Sequence, residues 1–185
     1  MYYDTIMAGF GGQGIQTISL LVATAAINKG MEVSYLPSYG VEKRGGRTNV
    51  IMVMADVEIG SPITNHPRCV IALDTIALNT YQEMVAPGGL LILNSSLVPE
   101  NLVTRDDIEV IALRCNEEAV AIGSAKLANM IALGAFIKQI DFLNFQEIEG
   151  AMDTVIPERL KKHIPGNLQA IRRGMELAKE SVAVK

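Results

Sequence analysis

The stretch DTIMAGFGGQGIQTISLLVATAAI, residues 4–27, decides the fold. Asp4–Ala8 is a short apolar run that stops at Gly9, and Ile15–Ile27 is rich in Ile, Leu, Val and Ala, which predicts a helix. Strand-like residues resume at Met31–Leu36. The order strand, glycine loop, helix, strand predicts a βαβ unit, whose crossover should be right-handed.

Later apolar runs predict four more strands: Thr48–Met54, Cys69–Leu73, Leu90–Asn94 and Ile108–Leu113. Val57–Ile59 is expected to pair with the first of these runs as a hairpin, which adds an antiparallel element. Helical segments alternate with the later strands and continue to the end of the chain. We therefore predict a three-layer α/β/α sandwich, Rossmann-like, with a mostly parallel sheet, as a single domain over residues 1–185.

Composition excludes several classes of protein. The chain has 185 residues, of which 49% are hydrophobic and 19% charged, so it can bury a large core and is not disordered. The net charge is −4, so the chain does not have the excess of Lys and Arg that is typical of proteins that bind nucleic acid. Because the apolar fraction is high, we expect the isolated chain to expose an obligate interface, and a homodimer is one form it could take.

The uncharged stretch from Thr5 to Asn28 has the length of a membrane span, but its four glycines within six residues and its polar side chains argue against one. No basic region precedes it, so we expect neither a signal peptide nor membrane association. Cys69 and Cys115 are far apart in sequence and cannot form a zinc or iron–sulfur site alone. We expect a cytoplasmic protein.

Residues 9–14, GFGGQG, satisfy the G-x-G-x-x-G pattern directly after a strand and before a helix. Glycines there let backbone N–H groups approach an anion at the helix N-terminus. Dinucleotide binding also needs an acidic residue at the end of the second strand, where Pro37 and Ser38 stand instead. NAD or FAD binding is therefore disfavoured, and two uses remain open: an anion site, or a turn that allows close packing of strand and helix.

A second glycine-containing segment, residues 42–47 (EKRGGR), places Arg44 and Arg47 on either side of Gly45 and Gly46. Two guanidinium groups so spaced could face one anion, or the segment could be a solvated charged loop. Other chemistry has little support. Neither histidine suggests a metal site, and Ser95 and Ser96 lack the G-x-S-x-G context of a nucleophile. We predict no catalytic residue and no metal ligand in this chain.

Several blocks in order resemble the gamma subunit of 2-oxoacid:ferredoxin (acceptor) oxidoreductases. The matching blocks are GFGGQGIQTISLLVATAA, LPSYGVEKRGGRTNVIMV, IGSPI, ALDTIAL, APGGLLILNSS and NMIALGAF. The co-occurrence of GGQG with SYG-x-E-x-RGG is more specific than the glycine motif alone. A lone gamma chain with the LPSYG-x-E-x-RGG form looks most like the 2-oxoglutarate type, whereas pyruvate, branched-chain and indolepyruvate types remain open.

The resemblance implies a complex of anaerobic metabolism that converts a 2-oxoacid and coenzyme A into an acyl-CoA and CO2, with electrons passing to ferredoxin. It implies alpha, beta and ferredoxin-like delta partner subunits, which would hold thiamine diphosphate, Mg²⁺ and iron–sulfur clusters. No cofactor is expected on this chain alone, which should be inactive in isolation. The candidate anion or coenzyme A contacts are Gly9, Gly11, Gly12, Gln13, Gly14, Arg44, Gly45, Gly46 and Arg47. The alternative function is a free-standing nucleotide-binding module.

Overall fold

A computed structural model describes residues 1–40 and 46–182 of the chain. The strands are β1 (Tyr2–Phe10), β2 (Glu32–Tyr39), β3 (Arg47–Ala55), β4 (Cys69–Ala72), β5 (Leu90–Asn94) and β6 (Glu109–Leu113). The α-helices are α1 (Ile15–Asn28), α2 (Thr75–Tyr81), α3 (Cys115–Ile122), α4 (Ala128–Gln139), α5 (Phe145–Val155) and α6 (Ile164–Val182). Short 3₁₀ segments lie at Gln82–Met84, Glu100–Leu102, Ala125–Leu127 and Glu158–His163.

The strands form one sheet in the order β2-β3-β1-β4-β5-β6. The pairs β1–β4, β4–β5 and β5–β6 are parallel, whereas β3 is antiparallel to both β1 and β2. All strands except β3 therefore run in one direction, which confirms the predicted mixed, mostly parallel α/β sheet.

The predicted hairpin with Val57–Ile59 is wrong. These residues lie in an irregular segment that connects β3 to β4, and Val57 is 62% exposed. The physical reason is that β1 and β2 already occupy both edges of β3, so no edge is left for a hairpin partner. The connecting segment is instead held by the buried carboxylate of Asp4, which accepts hydrogen bonds from the Thr64 hydroxyl and from the Arg68 backbone N–H.

The two faces of the sheet are covered unequally. Alternate strand residues such as Met7 and Ile71 contribute to a large apolar cluster that contains residues of α1, α3, α4, α5 and α6. Their neighbours Ile6 and Val70 contribute to a smaller cluster on the other face, where α2 is the α-helix that packs. Parallel strands buried on both faces need continuous apolar runs, and the predicted strands have them.

The end of α1 contacts the start of α5. Lys29 follows α1, and Gly30 takes a φ of +84° that terminates the helix. The Lys29 Nζ donates to the Phe142 carbonyl at 2.7 Å and lies 2.8 Å from a carboxylate oxygen of Glu147. Glu147 also completes a capping box with Asn144 at the start of α5. The end of one helix thus fixes the start of another.

Helices α4 and α6 cross at backbone contact distance. A Cβ on Gly134 would overlap the carbonyl oxygen of Ile171, and a Cβ on Gly174 would overlap the carbonyl oxygen of Ile131. Each glycine therefore faces the backbone of the opposite helix. Side chains cannot be added at this crossing without moving the helices apart, which would open the larger core cluster.

We predict that Gly174→Ala destabilises the protein by about 1–3 kcal/mol or more, because backbone atoms of α4 would have to move. Gly150→Ala is the matched control: Gly150 lies in the interior of α5, and a Cβ there meets nothing within 4 Å. The control should gain up to about 1 kcal/mol from helix propensity. Urea unfolding midpoints measure both variants, and equal midpoints would contradict the close crossing.

Candidate functional site

The site lies at the carboxyl edge of the sheet, between β1 and β4. The helix after β1 packs on one face of the sheet and the helix after β4 packs on the other, so the chain changes face between these neighbouring strands. Such a switch point leaves a crevice where α/β proteins bind ligands. A cleft of about 650 Å³ is present here.

Segments from both sides of the switch point line the cleft. Its described lining residues are Ala8, Gly9, Phe10, Ser38, Tyr39, Gly40, Arg47, Thr48, Asn49, Asp74, Thr75, Ile76, Ala77, Thr80, Tyr81 and Leu97. The floor comes from the central strands and one wall from α2. Most lining side chains are apolar, hydroxyl or amide groups.

The glycine loop between β1 and α1 is shaped by two residues with positive φ. Gly12 has φ +105° and Gly14 has φ +76°. A Cβ on Gly14 would overlap the side-chain amide of Asn129 in α4, whose Nδ2 donates to the Gly14 carbonyl at 3.2 Å. The loop therefore needs glycine for conformation and for the approach of α4, and the buried Asn129 amide is hydrogen-bonded to it.

The side chain of Gln13 folds back into the loop and uses both ends of its amide. Its Oε1 accepts from the Phe10 N–H at 2.8 Å, and its Nε2 donates to the Leu73 carbonyl at 3.0 Å. A Cβ on Gly9 would overlap the same Oε1, so the amide lies directly against Gly9. The Gln13 side chain therefore fills the space that the missing side chain of Gly9 would leave for a ligand.

Backbone groups of the loop are also bonded within the protein. The Gly11 N–H donates to the Gly46 carbonyl at 2.7 Å, and the Gln13 N–H donates to the Phe10 carbonyl at 3.1 Å. An anion in the loop would have to replace these acceptors. The loop geometry therefore favours the interpretation that the glycines allow close packing of strand and helix, rather than binding of a dinucleotide.

The structure brings some of the sequence-predicted residues to the cleft and not others. Gly9 and Arg47 line it, whereas Gly46 contributes its carbonyl to the glycine loop. Gly11, Gly12, Gln13 and Gly14 lie beside the cleft and are absent from its lining. Arg44 and Gly45 fall outside the described residues.

Sequence reasoning missed the α2 wall of the cleft. Asp74 follows β4 and caps α2, its carboxylate accepting from the Ala77 N–H at 2.8 Å. Thr75, Thr80 and Tyr81 on this helix then face the cleft. The signal was available, since an Asp directly after a buried strand marks both a helix start and the carboxyl edge of the sheet.

The electrostatics of the cleft centre on Arg47. It is the one cation among the described lining residues, and no ion pair of the described chain involves it. Burial raises the pKa of Tyr81, which also lines the cleft, and the positive charge of Arg47 opposes that rise. The cleft thus suits a ligand with one anionic end and a largely neutral body.

Other reactive groups of the described chain are engaged or buried. Burial raises the pKa of the Cys69 and Cys115 thiols to about 12, so they are protonated at neutral pH. The Ser96 hydroxyl bonds the Asn116 N–H and the Glu117 carboxylate at the start of α3. Residues 1–40 and 46–182 contain no cluster of three His, Cys, Asp or Glu side chains placed to hold a metal ion. Their helices include none long and apolar enough to cross a membrane.

Comparison with known proteins identifies relatives over almost the whole chain. The sequence profile of the family Pyruvate ferredoxin/flavodoxin oxidoreductase matches residues 4–177. 2-Oxoglutarate synthase subunit KorC of Methanothermobacter marburgensis is 31% identical, with 94% of this chain matching 95% of that protein. Ketoisovalerate oxidoreductase subunit VorA of Methanothermobacter thermautotrophicus is 29% identical over 95% of this chain, which spans only 36% of that longer protein.

A solved structure agrees with these relatives. The gamma subunit of keto/oxoacid ferredoxin oxidoreductase from Geobacter sulfurreducens superposes with a TM-score of 0.83 at 25% sequence identity. The superposition covers 98% of each chain, so the two share the whole fold. The predicted resemblance is confirmed.

We predict that Gln13→Ala destabilises the protein by about 1–3 kcal/mol, because the Phe10 N–H and the Leu73 carbonyl lose their partner. The matched control is Gln146→Ala, at an exposed position on α5, which should change stability by less than about 0.5 kcal/mol. Thermal unfolding of both variants provides the comparison. A Gln13→Ala variant as stable as the control would show that the amide bridge contributes nothing.

Proposed function

The chain belongs to the pyruvate ferredoxin/flavodoxin oxidoreductase family, and from that premise we propose that it is the gamma subunit of a thiamine diphosphate-dependent 2-oxoglutarate:ferredoxin oxidoreductase. The complex would convert 2-oxoglutarate and coenzyme A into succinyl-CoA and CO2 and reduce ferredoxin. The observation that carries the proposal is the match to KorC, which spans 95% of that protein. The match to VorA spans 36% of a longer protein. The pyruvate, branched-chain and indolepyruvate reactions are the alternatives.

In the proposed complex, the partner subunits carry out the redox and carbanion chemistry. Thiamine diphosphate would supply the carbanion chemistry, and Mg²⁺ would hold its diphosphate through oxygen ligands. The described residues offer no carboxylate cluster for that ion and bury both thiols, so they do not fit either thiamine diphosphate or an iron–sulfur cluster. We place these groups on the alpha, beta and delta partners, and the complex in the cytoplasm.

The role of this chain in the complex is to present the cleft. Arg47 begins β3, where it pairs with Phe10 of β1, so its backbone is held by the sheet. A guanidinium group fixed there can bind a phosphate of coenzyme A or a carboxylate of a partner subunit. Threonine and amide groups along the rest of the cleft can hydrogen-bond a neutral ligand body. Self-association of the isolated chain stays a prediction.

Reconstitution tests the proposed function. The complex assembled with its partner subunits should reduce methyl viologen when given 2-oxoglutarate and coenzyme A, and should prefer 2-oxoglutarate over pyruvate, 2-oxoisovalerate and indolepyruvate. The isolated chain with added thiamine diphosphate, Mg²⁺ and coenzyme A should show no turnover. Turnover by the isolated chain would overturn the assignment of catalysis to the partners, and preference for another 2-oxoacid would overturn the substrate.

The Arg47 contact can be separated from general electrostatics by paired variants. If Arg47 binds coenzyme A, Arg47→Ala should raise the KM for coenzyme A about tenfold, equivalent to about 1.4 kcal/mol. Arg47→Lys should recover only part of the loss, because lysine keeps the charge without the bidentate fork. Arg44→Ala tests the second predicted arginine in the same way.

Arg159→Ala, at an exposed position in another segment, is the control for Arg47 and should leave the KM unchanged. If Arg47 instead binds a partner carboxylate, Arg47→Ala should weaken assembly while the KM for coenzyme A in the remaining complex stays normal. Wild-type assembly and kinetics in Arg47→Ala would mean that the guanidinium group is only solvated.

A further inference from the structure

A ring of large apolar side chains surrounds the mouth of the cleft. Phe10, Tyr39, Ile76 and Leu97 line the cleft, yet their side chains remain 42%, 66%, 51% and 41% exposed. Single exposed apolar residues are ordinary on protein surfaces, but a group of them around one concave site marks an interaction surface. We call these four residues the apolar rim.

The rim belongs to a surface of low charge. Helix α2, which carries Ile76, has the sequence TIALNTY and contains no charged residue. Among the described residues, the charged ones that line the cleft are Arg47 and Asp74, and Asp74 already caps α2. Covering the described part of the rim with another protein would desolvate little charge, which favours a neutral, apolar partner surface.

A second copy of this chain fits the rim poorly. A two-fold interface brings the same patch of both copies together, so the two Arg47 guanidinium groups would approach each other. The cleft offers them no free carboxylate among its described lining residues, since Asp74 is engaged. Charge complementarity therefore favours a different polypeptide.

The free edge of the sheet also disfavours pairing with another copy. The N–H of Gly40, directly after β2, donates to the Arg47 carbonyl, so the backbone polar groups of Ser38, two residues earlier, also point toward β3. Pro37 alternates with Ser38 and lies on the open edge, where it supplies no N–H donor. A proline on the open edge of β2 disfavours pairing with another strand.

The longer relative identifies the kind of partner. The VorA polypeptide contains the region that matches this chain within a protein nearly three times as long, since the match spans 36% of it. In that relative the domain therefore has other protein of the same oxidoreductase as its permanent neighbour. For a chain that matches KorC over 95% of its length, the corresponding neighbour would be a separate subunit.

We propose that the apolar rim is the docking surface for a partner subunit of the oxidoreductase, which presents an uncharged apolar surface to Ile76, Leu97, Tyr39 and Phe10. This inference rests on the proposed function. Docking there covers the mouth of the cleft and converts it into a chamber between two subunits. The chamber excludes bulk water from Arg47, which strengthens its interaction with an anion.

The test uses matched charge insertions in the complex with its partner subunits. Ile76→Glu places a carboxylate in the rim. Val120→Glu places one on α3, where the valine is 60% exposed and outside the cleft lining. We expect Ile76→Glu to weaken retention of this chain in the co-purified complex at least tenfold, and Val120→Glu to assemble as the wild type does. Thermal unfolding of each isolated variant should match the wild type, because both sites are on the surface. Leu97→Glu repeats the test from a second segment if Ile76→Glu unfolds.

The outcomes separate this inference from the function on which it rests. If wild type and Val120→Glu assemble but both rim variants assemble equally well, the rim inference is wrong and the gamma-subunit role stands. If the wild-type chain binds no partner subunit at all, the proposed function itself fails. Equal weakening by Val120→Glu, or a wild-type homodimer that Ile76→Glu dissociates, would also overturn the inference.

Discussion

The side-chain amide of Gln13 joins the ends of β1 and β4, the neighbouring strands between which the chain changes the covered face of the sheet. One end of the amide holds the Phe10 N–H and the other holds the Leu73 carbonyl. Asp74 follows Leu73 directly and caps α2, so the bridge sets where α2 starts relative to β1. Because α2 forms one wall of the cleft and β1 part of its floor, this side chain acts together with the β1–β4 ladder and the Leu73 N–H bond to the Ala8 carbonyl to set the width of the cleft.

The open mouth of the cleft follows from the antiparallel insertion of β3. Parallel neighbours need a crossover of about a dozen residues, usually helical, whereas antiparallel neighbours do not. Seven residues separate Tyr39 from Arg47, too few for such a crossover. The antiparallel pairing of β2 and β3 therefore requires no crossover helix over them, and Leu36 on β2 stays 41% exposed.

Local sequence patterns predicted most of the helices and strands, but not which of them pair or pack together. Apolar runs located the strands, because that signal depends on residues close in sequence. The error at Val57–Ile59 arose because pairing depends on which edges are free, and that is settled by distant strands. The glycine motif was found correctly, yet its use depended on Gln13 turning back on the loop, which the pattern treats as a variable position. The contact of Gly134 and Gly174 with opposite backbones is likewise a property of two helices together.

The position of Arg47 in a strand ladder has a consequence for variation of the preceding loop. Its backbone pairs with Phe10 of β1, so the ladder would still hold that backbone after an insertion or deletion earlier in the sequence. A slip of one residue in the pairing of β3 would instead turn every side chain of that strand to the opposite face. Arg47 would then point toward α1, and Met52 and Met54 would leave the larger core cluster. The placement of the Arg47 side chain in the cleft and the burial of the two methionines therefore depend on the same register of β3.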